Sequence, residues 1–467
     1  MGARLKATAR RWKTTALRYT KRQRLLRAKL QRAQRRIAAL EVEVQQLRAA
    51  GAPLPVAGHT YPAQLMALAV FIVVQANGSL RCAAKTVGFV SHLLGWSYGV
   101  PSRSSVRRWV VRCGLFQLEH ASDKVGNYVA ILDESIQMGR EKLLLLLRVK
   151  LCDDRRHCAP LTGADVEVLG LEVQQSWTGE TIAEFVQRKL ARLPALRLTY
   201  CITDGGSTNL TKALKLLKLD AVSDCTHVMM NAVKKLLKDD ATLSQLSADI
   251  GQLRRRLLLT AEGYLLPPTL RDKDRLLRIF TLVPWVKRID AVWQRLPQSS
   301  RDHLSFLERA RPRIQCMGQL KALVQISAGV LKGAGLSTVS IARWEQRINQ
   351  FIIENKLSNE AQTFIQTMRA YLAQHEKLIE KHQRLLCCSD VIESTFGRYK
   401  NKGGTPVISA DVLAVALYNA EISPQLVKKA LTYVPYQAVH DWEQRYTCDN
   451  RYSLVRRMNR ELKSAVA

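Results

Sequence analysis

Between residues 128 and 204 the chain runs through a succession of apolar segments that few folds can accommodate. Tyr128-Val-Ala-Ile-Leu-Asp133 is an apolar run closed by an acid, and Leu143 to Leu151, joined to it through Gly139-Arg140, is a second. Val166 to Gln174 is a third, a helix opens at Thr178-Gly-Glu-Thr181 and reaches about Leu193, and Leu198-Thr-Tyr-Cys-Ile-Thr-Asp204 is a fourth strand, again closed by an acid and followed by Gly205-Gly206. Three strands, a helix and a further strand predict a sheet in which the first and fourth strands lie side by side. Asp133 and Asp204, 71 residues apart, then project from neighbouring strand ends. Two convergent carboxylates either share a proton or bind a cation. Hard oxygen ligands with positions left for water suit Mg²⁺ or Mn²⁺, and two such ions about 4 Å apart serve both the attacking and the leaving oxygen of a phosphoryl transfer. One strand-end aspartate alone reads as a loop cap; the pair carries the metal reading.

Charge narrows the partner. Lys and Arg number 72 against 39 Asp and Glu, a formal charge of +33, and a chain with 47% apolar residues does not need that excess to fold. It predicts a polyanionic partner bound with strong salt dependence. A structural nucleoid or RNA-binding protein accounts for the charge but leaves the paired aspartates unexplained. Ten cysteines without a Cys-x-x-Cys pair, and no hydrophobic leader, point to reduced thiols in the cytoplasm, at the nucleoid if the polyanion is DNA. The apolar stretch Leu65 to Val74 is about half of the ~20 residues that span a bilayer, so a buried helix is expected there and no membrane partner.

Around this core the chain divides into further units. Residues 1–50 hold 15 Lys/Arg and only two acids, with Trp12, Ala16, Tyr19, Gln23, Leu26, Leu30, Ala33, Ile37, Leu40, Val44 and Leu47 stepping by three and four. That is the seam of a basic coiled-coil helix able to pair with a second copy, or else a lone solvated helix. A Gly/Pro linker over 51–58 leads to residues 60–120, which read as a helix-turn-helix DNA-binding unit. Its last helix starts at Pro101-Ser-Arg-Ser-Ser-Val and places Arg103, Ser104, Ser105, Arg107 and Arg108 in the first two turns, with Val106, Trp109 and Val110 inward. An ordinary amphipathic helix with solvated arginines is the bland alternative. The first part of the core takes 124–210, residues 211–385 are almost entirely helical by periodicity, and 386–467 complete the chain.

A third acid is expected from a helix near the end. In Ser389-Asp-Val-Ile-Glu-Ser-Thr-Phe-Gly-Arg-Tyr-Lys-Asn-Lys402, Glu393, Phe396 and Lys400 share a face, with Lys400 placed to hold a phosphate. Asp390-x-x-Glu393 is equally the pattern of a capping box, and Glu134 and Asp390 are rival ligands. Asp224-Cys-Thr-His227 precedes a basic helix; His227 either positions a phosphate or is structural. Cys225 with His227 lacks a second pair at ligand spacing, Cys387-Cys388 being too weak to supply it, so no structural zinc is expected.

These motifs together resemble a bacterial insertion-sequence transposase of the DDE class, in the retroviral-integrase-like ribonuclease H superfamily. The resemblance rests on Leu132-Asp133-Glu134-Ser135, Ile202-Thr203-Asp204-Gly205-Gly206, Asp224-Cys-Thr-His227 and Asp390-Val-Ile-Glu393-Ser-Thr-Phe-Gly-Arg-Tyr-Lys400, and covers about residues 60–420. An acid or cysteine, two residues and a histidine after the second aspartate, then 189 mostly helical residues up to Glu393, match members with a helical insertion. It implies a multidomain, mainly α chain whose α/β ribonuclease-H-like core is interrupted by a large all-α insertion. It further implies two Mg²⁺ or Mn²⁺ ions on Asp133, Asp204 and Glu393, with His227 in the site. Arg398, Lys400 and Lys402 would contact phosphates. The reaction implied is hydrolysis at the transposon end followed by attack of the freed 3′-hydroxyl on target double-stranded DNA, by a homodimer or larger assembly. A domesticated DNA-binding regulator, or a nuclease of the same fold without strand transfer, is the alternative.

Overall fold

The computed structural model describes residues 53–121, 125–138, 141–151, 160–269, 275–400 and 408–449, with scattered helical residues nearer both ends. Of the N-terminal heptad segment, residues 23, 29–38 and 40 are helical and exposed. The remainder of that segment, Gly139-Arg140 and Lys402 lie outside the described residues. The chain is mainly helical with one small mixed sheet.

Five strands form that sheet: β1 (Gly126–Met138), β2 (Glu141–Lys150), β3 (Val166–Gln174), β4 (Leu196–Thr203) and β5 (Asp220–Ser223), in the order β3-β2-β1-β4-β5. The β1/β2 and β2/β3 pairs are antiparallel, while β1/β4 and β4/β5 are parallel. The near-continuous apolar run of β2 reflects burial on both faces. Leu143, Leu145, Leu147 and Val149 join the larger core, and Leu144 and Leu146 the smaller one on the other face. That smaller core is closed by α4 (Gly179–Leu190) and α5 (Thr208–Leu216), with Trp177 and Phe185 at its centre. Residues 211–223, which periodicity groups with the helical stretch, instead complete α5 and β5. Four residues with no alternation give β5 no readable strand signal; its pairing with β4 makes it a strand.

Between β5 and the C-terminal part stand α6 (Cys225–Leu236), α7 (Ala241–Leu257), α8 (Arg275–Val292), α9 (Gln298–Leu304), α10 (Phe306–Ala334), α11 (Thr338–Glu354), α12 (Asn359–Gln374) and α13 (Glu376–His382). The long α10 is their spine, packed by α7, α8, α11 and α12. Buried indoles find partners within this layer: Trp344 Nε1 donates to Ser327 Oγ at 2.9 Å, and Trp285 Nε1 to the Leu265 carbonyl at 3.1 Å. After α10 the chain turns at Gly335, whose φ of +70° and close approach to the Leu385 carbonyl exclude a side chain. Leu336 and Leu385 then exchange backbone hydrogen bonds of 2.7 and 2.9 Å, which ties the end of the helical layer to the turn between α10 and α11.

The first and last described helices pack together. Helices α1 (Ala63–Val74), α2 (Leu80–Leu93) and α3 (Arg103–Glu119) form the N-terminal unit. Helix α14 (Asp390–Lys400), a 3₁₀ segment (Ala410–Leu417), α15 (Pro424–Tyr433) and α16 (Tyr436–Tyr446) form the C-terminal one. Val106, Trp109 and Val110 face inward as their spacing predicts. They do so against the C-terminal elements as well as against α1 and α2. Arg112 donates to the Val434 and Leu431 carbonyls at 2.6 and 2.5 Å, Gln75 Nε2 to Ala420 at 2.6 Å and Arg398 to Val74 at 2.9 Å. Among the described residues no helix is long and apolar enough to cross a membrane.

Helix α3 and the 3₁₀ segment touch so closely that a Cβ at Gly114 would overlap the Leu413 backbone. Gly114→Val is expected to cost about 1–3 kcal/mol by overpacking, read as a lowered urea midpoint. Gly251→Ala, in open space on α7, should instead gain about 0.5–1 kcal/mol from helix propensity. An unchanged midpoint for Gly114→Val would remove the α3 contact from this account.

Candidate functional site

Strand pairing sets the first two acids at equal height. In the parallel β1/β4 pair Ile131 lies opposite Ile202, and Asp133 and Asp204 each follow two residues later. The β1/β2 register shifts between Asp133 and Ile136, and such an irregularity re-aims side chains; β1 continues past it to Met138, so Asp133 lies within the strand and not at its end as the sequence suggests. Beyond β4 the chain reverses at Gly205, φ +70°, and the Gly206 N–H donates to Asp204 Oδ1 at 3.0 Å, fixing that carboxylate.

The third acid is brought in by a hydrogen-bonded seam running from the sheet into α14. Leu386 N–H donates to the Tyr200 hydroxyl of β4 at 2.7 Å, and Cys225 N–H donates to the Cys387 carbonyl at 2.8 Å. Asp224, wholly buried, is the N-cap of α6: its Oδ1 accepts Thr226 N–H at 2.5 Å and His227 N–H at 3.4 Å. Its Oδ2 accepts Ser389 N–H at 2.9 Å and the Ser389 hydroxyl. Ser389 immediately precedes α14, so one carboxylate joins the start of α6 to the start of the Glu393 helix.

His227 makes the next link. Its Nε2 lies 3.1 Å from Glu393 Oε1, and its Nδ1 3.4 Å from Asp224 Oδ2, close enough for charge attraction but too oblique for a good hydrogen bond. Pairing with Asp224, then with Glu393, pushes the imidazole up to about 10, outweighing the effect of its burial. Burial pushes the Asp224 carboxyl up, but the attraction of His227 and the hydrogen bonds from Ser389 more than offset it and hold the group below its ordinary range. His227 is therefore a cation at neutral pH.

A cleft of about 520 Å³ opens beside these groups, lined by Glu134, Asp204, Ser207, His227, Asn231 and Lys234 among others. Its β1 acid is Glu134, not Asp133. Ser207, the N-cap of α5, donates its hydroxyl to Glu134 Oε1 at 2.7 Å. Glu134 Oε2 is buried without a hydrogen-bond partner among the described residues, the Lys142 ammonium being 3.9 Å away. Asn231 and Lys234 were legible as cleft residues only through their four- and seven-residue steps from His227 along α6. The ligand atoms of Asp133, Asp204 and Glu393 do not gather within 4.8 Å as a threesome. Asp390, a rival ligand by sequence, is paired with Lys332 at 2.5 Å.

The expected phosphate contacts divide. Arg103, Ser104 and Lys400 are exposed, and Ser105 bonds the N-cap Ser102 through both its backbone N–H and its hydroxyl. Arg107 is engaged by Asp411 at 2.6 Å, and exposed Arg108 lies over the Tyr436 ring at 5.0 Å. Arg398 lies over the Tyr418 ring at 4.5 Å while bonding Val74, so its guanidinium joins the N-terminal and C-terminal units. Compared with known proteins, the chain matches no family model and no curated protein.

The His227 pairing has a signed consequence for stability. A group whose folded pKa is raised stabilises fully below its unfolded value, near 6.5, and loses that contribution as pH rises through about 10. The stability difference between wild type and His227→Gln should thus be greatest below pH ~6.5 and shrink toward pH ~10. An imidazole NMR titration with a midpoint near 6.5 in wild type would contradict the pairing.

Proposed function

We propose that this chain is a DDE-class DNA transposase, binding DNA and cutting and joining phosphodiester bonds at the strand ends of a ribonuclease-H-like core. One observation carries the reading most: Asp133 within β1 and Asp204 just past the end of the adjacent parallel β4 fall at the same height, beside a helix whose Glu393 lies 3.1 Å from His227. The strand order β3-β2-β1-β4-β5, with its first three strands antiparallel and its last two parallel, suits that core. The N-terminal three-helix unit suits a helix-turn-helix.

The donor set suits hard divalent cations: carboxylates on β1 and just past β4, and a buried Glu134 oxygen with no hydrogen-bond donor among the described residues. Mg²⁺ or Mn²⁺ held by Asp133, Asp204 and Glu393 would supply Lewis-acid activation of the phosphodiester and its attacking oxygen. The chain's own groups do the rest. His227 orients Glu393 and keeps a positive charge at the cleft, and Lys234 adds a second on the same stripe of α6. Both favour a phosphate there. Exposed Arg103, Ser104 and Lys400, within a chain of charge +33, suit the flanking phosphates and a shared assembly of two or more copies on DNA.

The test uses full-length protein and a supercoiled plasmid carrying its coding segment with flanking DNA, incubated with Mg²⁺ or Mn²⁺. Wild type should nick and join strands. Asp204→Asn and Glu393→Gln should bind the plasmid with unchanged salt dependence and cut it on the order of a hundredfold more slowly, or worse. Comparing Asp133→Asn with Glu134→Gln identifies which β1 acid serves the chemistry. Cutting at the wild-type rate with Asp133, Asp204 and Glu393 all replaced would end the proposal.

A further inference from the structure

Beneath the His227–Glu393 contact lies a second cluster that this reading does not use. Asp224, Cys225 and Cys388 offer a carboxylate oxygen and two sulfurs, all within 4.8 Å of one another and all buried. Spacing alone gives no hint of it, because Cys225 and Cys388 stand 163 residues apart and Cys387-Cys388 lacks the usual interval of a metal-binding pair. The fold supplies the proximity: the backbone bond from Cys225 to Cys387 and the Ser389 bonds to Asp224 clamp the two segments together. The Cys387 thiol lies beside Cys225 and Tyr371 and donates to the Leu331 carbonyl at 3.5 Å, outside the threesome.

These are three acids packed around one dry point. A soft divalent ion binds such thiols as thiolates and releases their protons. Two sulfurs exclude Mg²⁺ as the natural occupant, and burial separates the cluster from the open cleft.

We propose that Cys225, Cys388 and Asp224 form a three-ligand structural site for a thiophilic divalent cation of the Zn²⁺ type. Binding forms metal–sulfur bonds as the thiols give up their protons to solvent. Asp224 can accept the ion because its bond from the Ser389 hydroxyl is released by rotation about one side-chain bond. The ion would pin the start of α14 to the β5–α6 junction, independently of what the cleft catalyses.

The test is metal content and Co²⁺ spectroscopy on the full chain, purified without chelators. Wild type should carry about one Zn²⁺ per chain, and after exchange into Co²⁺ should show a thiolate-to-cobalt charge-transfer band. Cys225→Ser and Cys388→Ser should lose that band, whereas Asp204→Asn and Glu393→Gln should keep it even where cutting is abolished. Should the serine variants not fold, protection of Cys225 and Cys388 from alkylation by added Zn²⁺ in wild type gives the same answer. Wild type that binds neither metal, equal alkylation with and without Zn²⁺, or a Cys225–Cys388 disulfide-linked peptide would each overturn the site.

Discussion

The carboxylate of Asp224 is the joint on which the site depends. It has no exposed surface, yet it accepts hydrogen bonds from the first turn of α6 on one oxygen and from Ser389 on the other. A buried charge of this kind is tolerable only when its lone pairs are filled, and leaving one unfilled costs about 3–5 kcal/mol. The fold therefore cannot easily move α14 away from the β5–α6 junction. The helix of Glu393 enters from far along the chain, and the Leu336–Leu385 bridge, the Tyr200 and Cys225 bonds and the Lys332–Asp390 pair add to the register that Asp224 sets.

Two kinds of charge coexist around this joint. The cleft gathers Glu134 and Asp204 in an otherwise strongly basic chain, and His227 on its wall stands between Asp224 and Glu393. Its attraction to Glu393 keeps that acid at the cleft's edge. The same contact means any ion at Glu393 must compete with an imidazolium for the same oxygen.

Much of the sheet was legible because β1 to β4 are apolar runs of strand length with turn residues between them, and β3 has the bounds its pattern predicts. The side-by-side placement of Asp133 and Asp204 followed from element order alone. Less was legible where partners lie far off in sequence. Arg107 and Arg398 read as solvated, phosphate-seeking cations because nothing near them signals Asp411 or the Val74 carbonyl. The strand β5 is too short for periodicity, and a strand's parity hides whether Asp133 or Glu134 faces a cleft once the register shifts beside it. Cys387-Cys388 looked inert until the fold set Cys388 against Cys225.

The packing of α3 against the 3₁₀ segment also sets an order of assembly. Gly114 leaves the ribosome roughly 300 residues before Leu413, so at about 5–20 residues per second α3 waits on the order of 15–60 s for its partner. During that interval the flank of α3 that receives Leu413 is bare on the nascent chain. The N-terminal unit thus acquires this wall only after the whole helical layer has been made, and its early life is a matter for whatever shields apolar surface on a nascent chain.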